Sequence, residues 1–208
     1  GKAMIWSSDR AGYRSHGSWG AQSDVYIMFF DGEAYDKFRL SKEEQALLDE
    51  EKQDQKSDTD KGKDKDAKKD KDKDKDKNKD KKEEPTVEPL KFDLANRKDR
   101  IMRLTVNSSF LGDAVLTPKG DKLYYCAAFE SGYDLWEHDF KENTTKLLIK
   151  GVGGGSMFAD KKGENIFLIS GGQLKKIEVK NSKTAPIAFK AEFSYRPAKE
   201  REYIFHHT

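Results

Sequence analysis

Short runs in which apolar and polar residues alternate, separated by polar turns that carry Gly or Asn, make up most of this chain. Such alternation puts successive side chains on opposite faces of a strand. The stretches TPKGDKLYYCA (Thr117 to Ala127) and DKKGENIFLIS (Asp160 to Ser170) align with each other, and their glycines, Gly120 and Gly163, stand 43 residues apart. Each is a polar turn with Gly followed by a strand rich in β-branched and aromatic residues. GKAMIWSSD at the amino terminus reads as a third copy entered in its middle. A second strand follows every copy, in SDVYIMFFD, GYDLWEHDF and GQLKKIEVK. An acid, an apolar residue and an aromatic recur there as Asp24, Val25, Tyr26 and as Asp134, Leu135, Trp136, while the third copy keeps only Leu174 and Ile177. KFRL, TKLLIK and TAPIAFK are expected to close the units as outer strands, and FDLANRKDRIMRLT adds another strand behind a polar Asn-Arg-Lys-Asp turn.

Four short strands in a period of about 43 residues predict the blade of a β-propeller. A β-sandwich also uses short strands with frequent turns and is the alternative architecture. The expected fold is therefore all-β: two to three blades of four-stranded antiparallel sheet. Outer strands this short and this charged suit a sheet edge that resists further pairing. Two nearly complete copies and part of a third do not close a ring of four to eight blades, so the chain reads as an excerpt, and it shows no signal peptide. Helical signals are confined to SKEEQALLDEE, where Ser41 and Glu44 have capping-box spacing, and to the last residues.

Charge changes this picture at one place. From Asp49 to Glu84, 36 residues carry 15 acids and 14 lysines, and without them charged residues fall to about 28% of the chain, an ordinary value for a globular domain. The run has almost no apolar side chains to offset the entropy of ordering and reads as a solvated, disordered polyampholyte insertion bounded by Pro85 and Pro89. Its near-zero net charge excludes phosphate-backbone binding. Asp72, Asp74, Asp76, Asn78, Asp80 and Glu83 fall at EF-hand spacing, but Lys77 stands where that loop requires Gly and Lys79 replaces the apolar anchor. The expected organisation is a partial blade over 1–40, a short helix and the insertion over 41–89, blades over 90–190 and a junction over 191–208.

Candidate chemistry is sparse. Ser18, His16 and Asp24 contain the residue types of a hydrolytic triad, but nothing in the sequence brings a base and an oxyanion donor to the serine, and no G-x-S-x-G elbow occurs. The G-V-G-G-G-S stretch from Gly151 to Ser156 lacks the Lys-Ser/Thr of a phosphate loop and reads as a flexible turn between blades. His16, His138, His206 and His207 have no metal-ligand spacing, and no metal or cofactor is expected. Cys126, the single cysteine, belongs to a buried strand position in LYYCAAF.

The segments IWSSDRAGYRSHGSWGAQSDVY and FFDGEAYDKFRLSKEE resemble the propeller region of bacterial tricorn-type serine peptidases, with the S-D-R-x-G and the more specific S-H-G-S-W-G motifs. RPAKEREYIFHHT is similar to the junction where such chains leave the propeller for the helical part of the peptidase half. The resemblance covers all of the chain except the Lys/Asp insertion. It implies a parent serine peptidase with PDZ-like and catalytic modules downstream and peptide or unfolded protein as substrate, and it favours export or a periplasmic location, with a cytoplasmic one as the alternative. The family's nucleophile lies beyond this chain, so no catalytic residue transfers. A TolB-like binding propeller without a protease is the alternative.

The long aromatic-bearing loop between the first two strands is where a propeller places contacts, which makes Tyr13, His16, Ser18 and Trp19 the candidate partner or substrate residues. Arg10 is expected to pair with Asp9. Uncovered strand edges and blade faces predict association with a second copy or borrowing of strands. No nucleic-acid partner and no membrane segment are expected.

Overall fold

The computed structural model describes residues 2–16, 20–60, 89–90, 92–192 and 194–207, without the side chains of 52–60. In chain order the elements are β1 (Ala3–Ser8), β2 (Asp24–Phe29), α1 (Gly32–Arg39), α2 (Lys42–Asp60), β3 (Ile101–Arg103), β4 (Phe110–Leu116), β5 (Lys122–Ala128), β6 (Asp134–Asp139), β7 (Thr144–Ile149), β8 (Ser156–Ala159), β9 (Asn165–Ser170), β10 (Gln173–Glu178), β11 (Lys183–Pro186) and α3 (Pro197–His207). The strands form three antiparallel sheets: β1-β2-β3, then β4-β5-β6-β7, then β8-β9-β10-β11. The fold is mostly β, and among the described residues no helix is long and apolar enough to cross a membrane.

The sequence repeat is a repeat of hydrogen bonds. Thr117 N–H donates to the Lys122 carbonyl and Gly120 N–H to the Thr117 carbonyl, both at 2.9 Å. Forty-three residues on, Asp160 N–H donates to Asn165 at 3.0 Å and Gly163 N–H to Asp160 at 3.1 Å. Gly120 and Gly163 share a φ of +74°, a left-handed backbone that suits Gly and few others.

The middle sheet is packed on both faces. Leu123, Tyr125 and Ala127 of β5 meet Val25, Ile27 and Phe29 of β2, while Tyr124 and Cys126 meet Met157, Ile166, Leu168 and Ile177 of the third sheet. A strand with two covered faces reads as a continuous apolar run, which is what LYYCA is. The first strands of the middle and third sheets lie against each other, joined by the Met157 N–H donating to Asp113 Oδ2 at 2.7 Å. Cys126 Sγ lies 3.3 Å from Met157 Sδ, and burial pushes its thiol up to about 12, so it is an inert packing group. The stack ends in two open faces. Register places Met4, Trp6 and Met28 on the outer face of the first sheet and Phe158, Phe167 and Ile169 on that of the third, with Phe158 56% exposed.

Several expectations change. KFRL is not an outer strand but the end of α1, which starts because the Asp31 carboxylate caps Ala34 N–H at 2.7 Å and because Ala34, Tyr35 and Phe38 pack on the core around Phe29. The outer place in the first sheet is filled from across the insertion by β3, which pairs with β2. Arg100 holds the returning chain there: buried, it donates to the Phe29 carbonyl at 3.2 Å and to the Ala95 carbonyl at 2.8 Å. The capping box forms as expected, Ser41 N–H to Glu44 Oε2 at 2.8 Å and Glu44 N–H to Ser41 Oγ at 3.2 Å. The helix it starts runs past Glu51 to Asp60, because Lys, Glu and Gln are good helix formers without needing a core. The rest of the polyampholyte run, with its EF-hand-like spacing, lies outside the described residues.

His138 predicts a pH response. The ring is buried, with Nδ1 2.7 Å from Thr145 Oγ1, and burial pushes the imidazole below its usual 6.5 against the opposing pull of Asp139. The unfolded chain takes up a proton near 6.5 and the folded one does not. Stability from this group is therefore complete above that pH and falls as pH drops through it. Burial raises the neighbouring Glu137 carboxyl, but hydrogen bonds from Lys146, Tyr124 and Lys122 outweigh it and hold it below its usual 4.5, so its own loss comes at lower pH. Urea midpoints at pH 7.5 and 5.5 should differ in the parent chain and differ less in His138→Gln.

Candidate functional site

The loop between β1 and β2 is a narrow hairpin. Gln22 N–H donates to the Tyr13 carbonyl at 2.8 Å, Ser15 N–H to the Gly20 carbonyl at 3.1 Å, and Arg14 bridges to Ala21. Along it Tyr13, 71% exposed, and His16, also exposed, face solvent. Ser18 and Trp19 lie outside the described residues. The structure thus brings Tyr13 and His16 to one solvent-facing loop.

Asp9 pairs with Arg14 at 2.6 Å, not with Arg10. Arg10 instead lies over the Tyr26 ring, 4.4 Å from its centroid, and reaches the Trp6 ring at 6.0 Å, covering part of the first sheet's open face. Gly12 makes the hairpin close: a Cβ there would come within 1.8 Å of the Gln22 carbonyl oxygen. Gly12→Ala is expected to spring the loop while leaving the sheets folded, read as faster proteolytic nicking within 9–23 at an unchanged melting temperature.

Asp24, at the base of this loop, is fully buried and has no role open for catalysis. Its Oδ1 accepts from Thr105 Oγ1 at 2.7 Å and pairs with Arg103 at 2.8 Å, and its Oδ2 accepts from Ser108 at 2.7 Å. Its counterpart Asp134 accepts from Gly151 N–H at 2.8 Å. The repeated acid pins the chain that leaves its own sheet, and in Asp24 both carboxylate oxygens are taken up in doing so. Gly151 to Ser156 leads from β7 into β8 and is packed in part. Val152 is buried, and a Cβ on Gly154 would press on the Tyr133 ring at 2.9 Å. Among the described residues no group of three or more His, Cys, Asp or Glu is placed to hold a metal.

A second feature lies beside the first sheet. Among the described residues β1 ends that sheet, and the hydrogen-bond phase follows from Phe30 N–H donating to the Lys2 carbonyl at 2.9 Å in the register that pairs Ala3 with Phe29. Bonded and non-bonded pairs alternate in an antiparallel ladder. Met4, Trp6 and Ser8 thus bond to β2, and the N–H and C=O groups of Ala3, Ile5 and Ser7 face outward.

Beside them runs a groove between β1 and β4. A hollow of about 140 Å³ at Ser7, Ser23 and Gly112 continues through Ile5 and Ala114 into one of about 610 Å³. That in turn continues through Ala3, Leu116 and Pro118 into a cleft of about 790 Å³ against α1. The last is lined by Lys2, Lys37, Lys119 and Lys141 against Glu33 and Asp121, so this end of the groove is net positive. Finding it required knowing which strand ended the sheet, and no local residue pattern signals that.

Compared with known proteins, the chain matches no family model and no curated protein. Among solved structures it is similar to the crystal structure of the tricorn protease, with a TM-score of 0.49 and 8% sequence identity. The similarity covers 90% of this chain and 16% of that one.

Proposed function

We propose that this chain is a noncatalytic segment of a β-propeller, of the kind found in tricorn-type serine peptidases, that gates or positions extended peptide for a catalytic module elsewhere in the same polypeptide. The observation that supports it best is the stack: successive four-stranded sheets on a 43-residue repeat, packed face to face with their first strands in contact. Continued around an axis, that arrangement is a propeller, whose loops and inner strands border a channel.

The test is hydrolysis of a short peptide and of an unfolded protein by the whole polypeptide, with and without residues 2–190. Selective loss or gain with the long substrate is the expected result. Equal rates on both substrates in both forms would refute gating. Absence of any proteolysis would assign the segment to a TolB-like binding propeller instead.

A further inference from the structure

We infer that the β1–β2 hairpin and the start of β4 together form a docking platform for a short peptide in polyproline II conformation, with apolar side chains three residues apart and a basic residue beside them. The inference rests on the peptide-positioning reading above and names the surface that holds the peptide and the conformation it takes. The platform is built wholly from segments internal to the chain.

The hairpin and β4 are joined in one row. Arg14 bridges to Ala21, and Gln22 N–H donates to the Tyr13 carbonyl at 2.8 Å, which sets Tyr13 beside Gln22. On the other side Ser23 N–H donates to the Ser109 carbonyl at 2.8 Å and Ser109 N–H to the Ser23 carbonyl at 3.1 Å. Continued by one residue, this antiparallel bridge sets Gln22 beside Phe110. Phe110 in turn pairs with Ala128. Directly opposed residues share a face, so Tyr13, Gln22, Phe110 and Ala128 stand in line on the same side. A Cβ on Gly20 would meet the Phe110 ring at 3.8 Å; glycine there leaves the ring uncovered, 50% exposed against 71% for Tyr13.

Spacing selects the ligand conformation. Neighbouring strands lie about 4.8 Å apart, so two steps put the bases of the Tyr13 and Phe110 side chains roughly 9.6 Å apart. A polyproline II helix has three residues per turn and rises about 3.1 Å per residue, so its side chains at i and i+3 fall on one side roughly 9.3 Å apart. An extended strand returns to the same face after about 6.8 Å and does not match. Gln22 stands between the two aromatics with an amide that can donate to the carbonyls such a helix leaves unbonded. Glu130, exposed just past Ala128, makes that end of the row negative and favours a basic residue in the peptide. Two exposed aromatics offer on the order of 250 Å², well short of the ~800 Å² per partner of a stable dimer, so the surface suits a short peptide and not a second copy.

The probe is acetyl-LPPLPK-amide, added to the 208-residue chain and followed by backbone amide shifts. Shifts are expected at Tyr13, Arg14, Gln22 and Phe110. The flexible acetyl-LGGLGK-amide, with the same leucines and lysine, should bind about tenfold more weakly. Tyr13→Ser and Phe110→Ser should each weaken binding of the proline probe by about tenfold, whereas Tyr203→Ser, which changes an exposed aromatic of α3, should leave it unchanged. Melting curves check that the variants are folded, and Glu130→Lys, which touches neither ring, should also weaken binding at low salt. Equal binding of the two probes, or of the proline probe to the Tyr13 and Phe110 variants and the parent chain, overturns the inference. Shifts confined to another face remove this site and leave peptide positioning standing. Failure of both probes to bind removes this site too, while the gating reading falls only by the hydrolysis comparison above.

Discussion

Asp24→Ala should lower the stability of the folded chain by about 3 kcal/mol, the largest single-residue effect expected outside the apolar core. The carboxylate is fully buried and takes hydrogen bonds from Thr105 and Ser108 and an ion pair from Arg103. Removing it takes the partner from three donors, of which the buried Thr105 hydroxyl, just behind β3, cannot reach water without opening the sheet. Thr105 also accepts from Val25 N–H at 3.2 Å, so its displacement loosens the start of β2. Asp24→Asn keeps the shape and one acceptor and should cost about half as much. Urea unfolding of the three chains decides the matter, and a loss below about 1 kcal/mol for the alanine variant would show that the acid is not a staple.

Gly155→Ala comes second, at about 3 kcal/mol, through backbone rather than side-chain contact. A Cβ at this position would sit 1.9 Å from the Ile169 carbonyl oxygen, and that atom belongs to β9, which pairs with β8 directly beside it. Relief requires moving the β8 strand away from its partner, which also strains the Met157 to Asp113 bond between sheets. Thermal melting should show the loss. Hydrogen exchange should place it at β8 and β9, with β1 and β2 unchanged.

Much of the fold was legible because the repeat constrains turns and strands together. The threonine or aspartate that opens each turn and the left-handed Gly three residues on are both visible as letters, and both form the same pair of bonds. Asp24 and Asp134 were visible as a repeated pair too, though not as staples, since Thr105 lies more than eighty residues from Asp24 and only the sheet joins them. KFRL was misread as a strand although its helix signal was present. Asp31 is a good cap and Glu33 sits in the first turn, but the expectation of a fourth strand after a third overrode them. The insertion had separated that strand from its sheet by the whole of the charged run. Of the four candidate contact residues, Tyr13 and His16 do reach solvent on one loop. That β1 ends the first sheet among the described residues agrees with GKAMIWSSD being a copy entered in its middle, whereas the groove beside it depends on how the sheets stack and on no local residue pattern.

β5 has no solvent face, and this sets how the molecule comes apart. Loosening either neighbouring sheet wets one half of the strand, Leu123, Tyr125 and Ala127 or Tyr124 and Cys126, while the other half remains dry. Openings that begin at an end of the stack therefore stop at the middle sheet. The third sheet, covered on one side only among the described residues and ending in an exposed four-residue strand, is expected to exchange its amides before the middle sheet, with the β5 amides last.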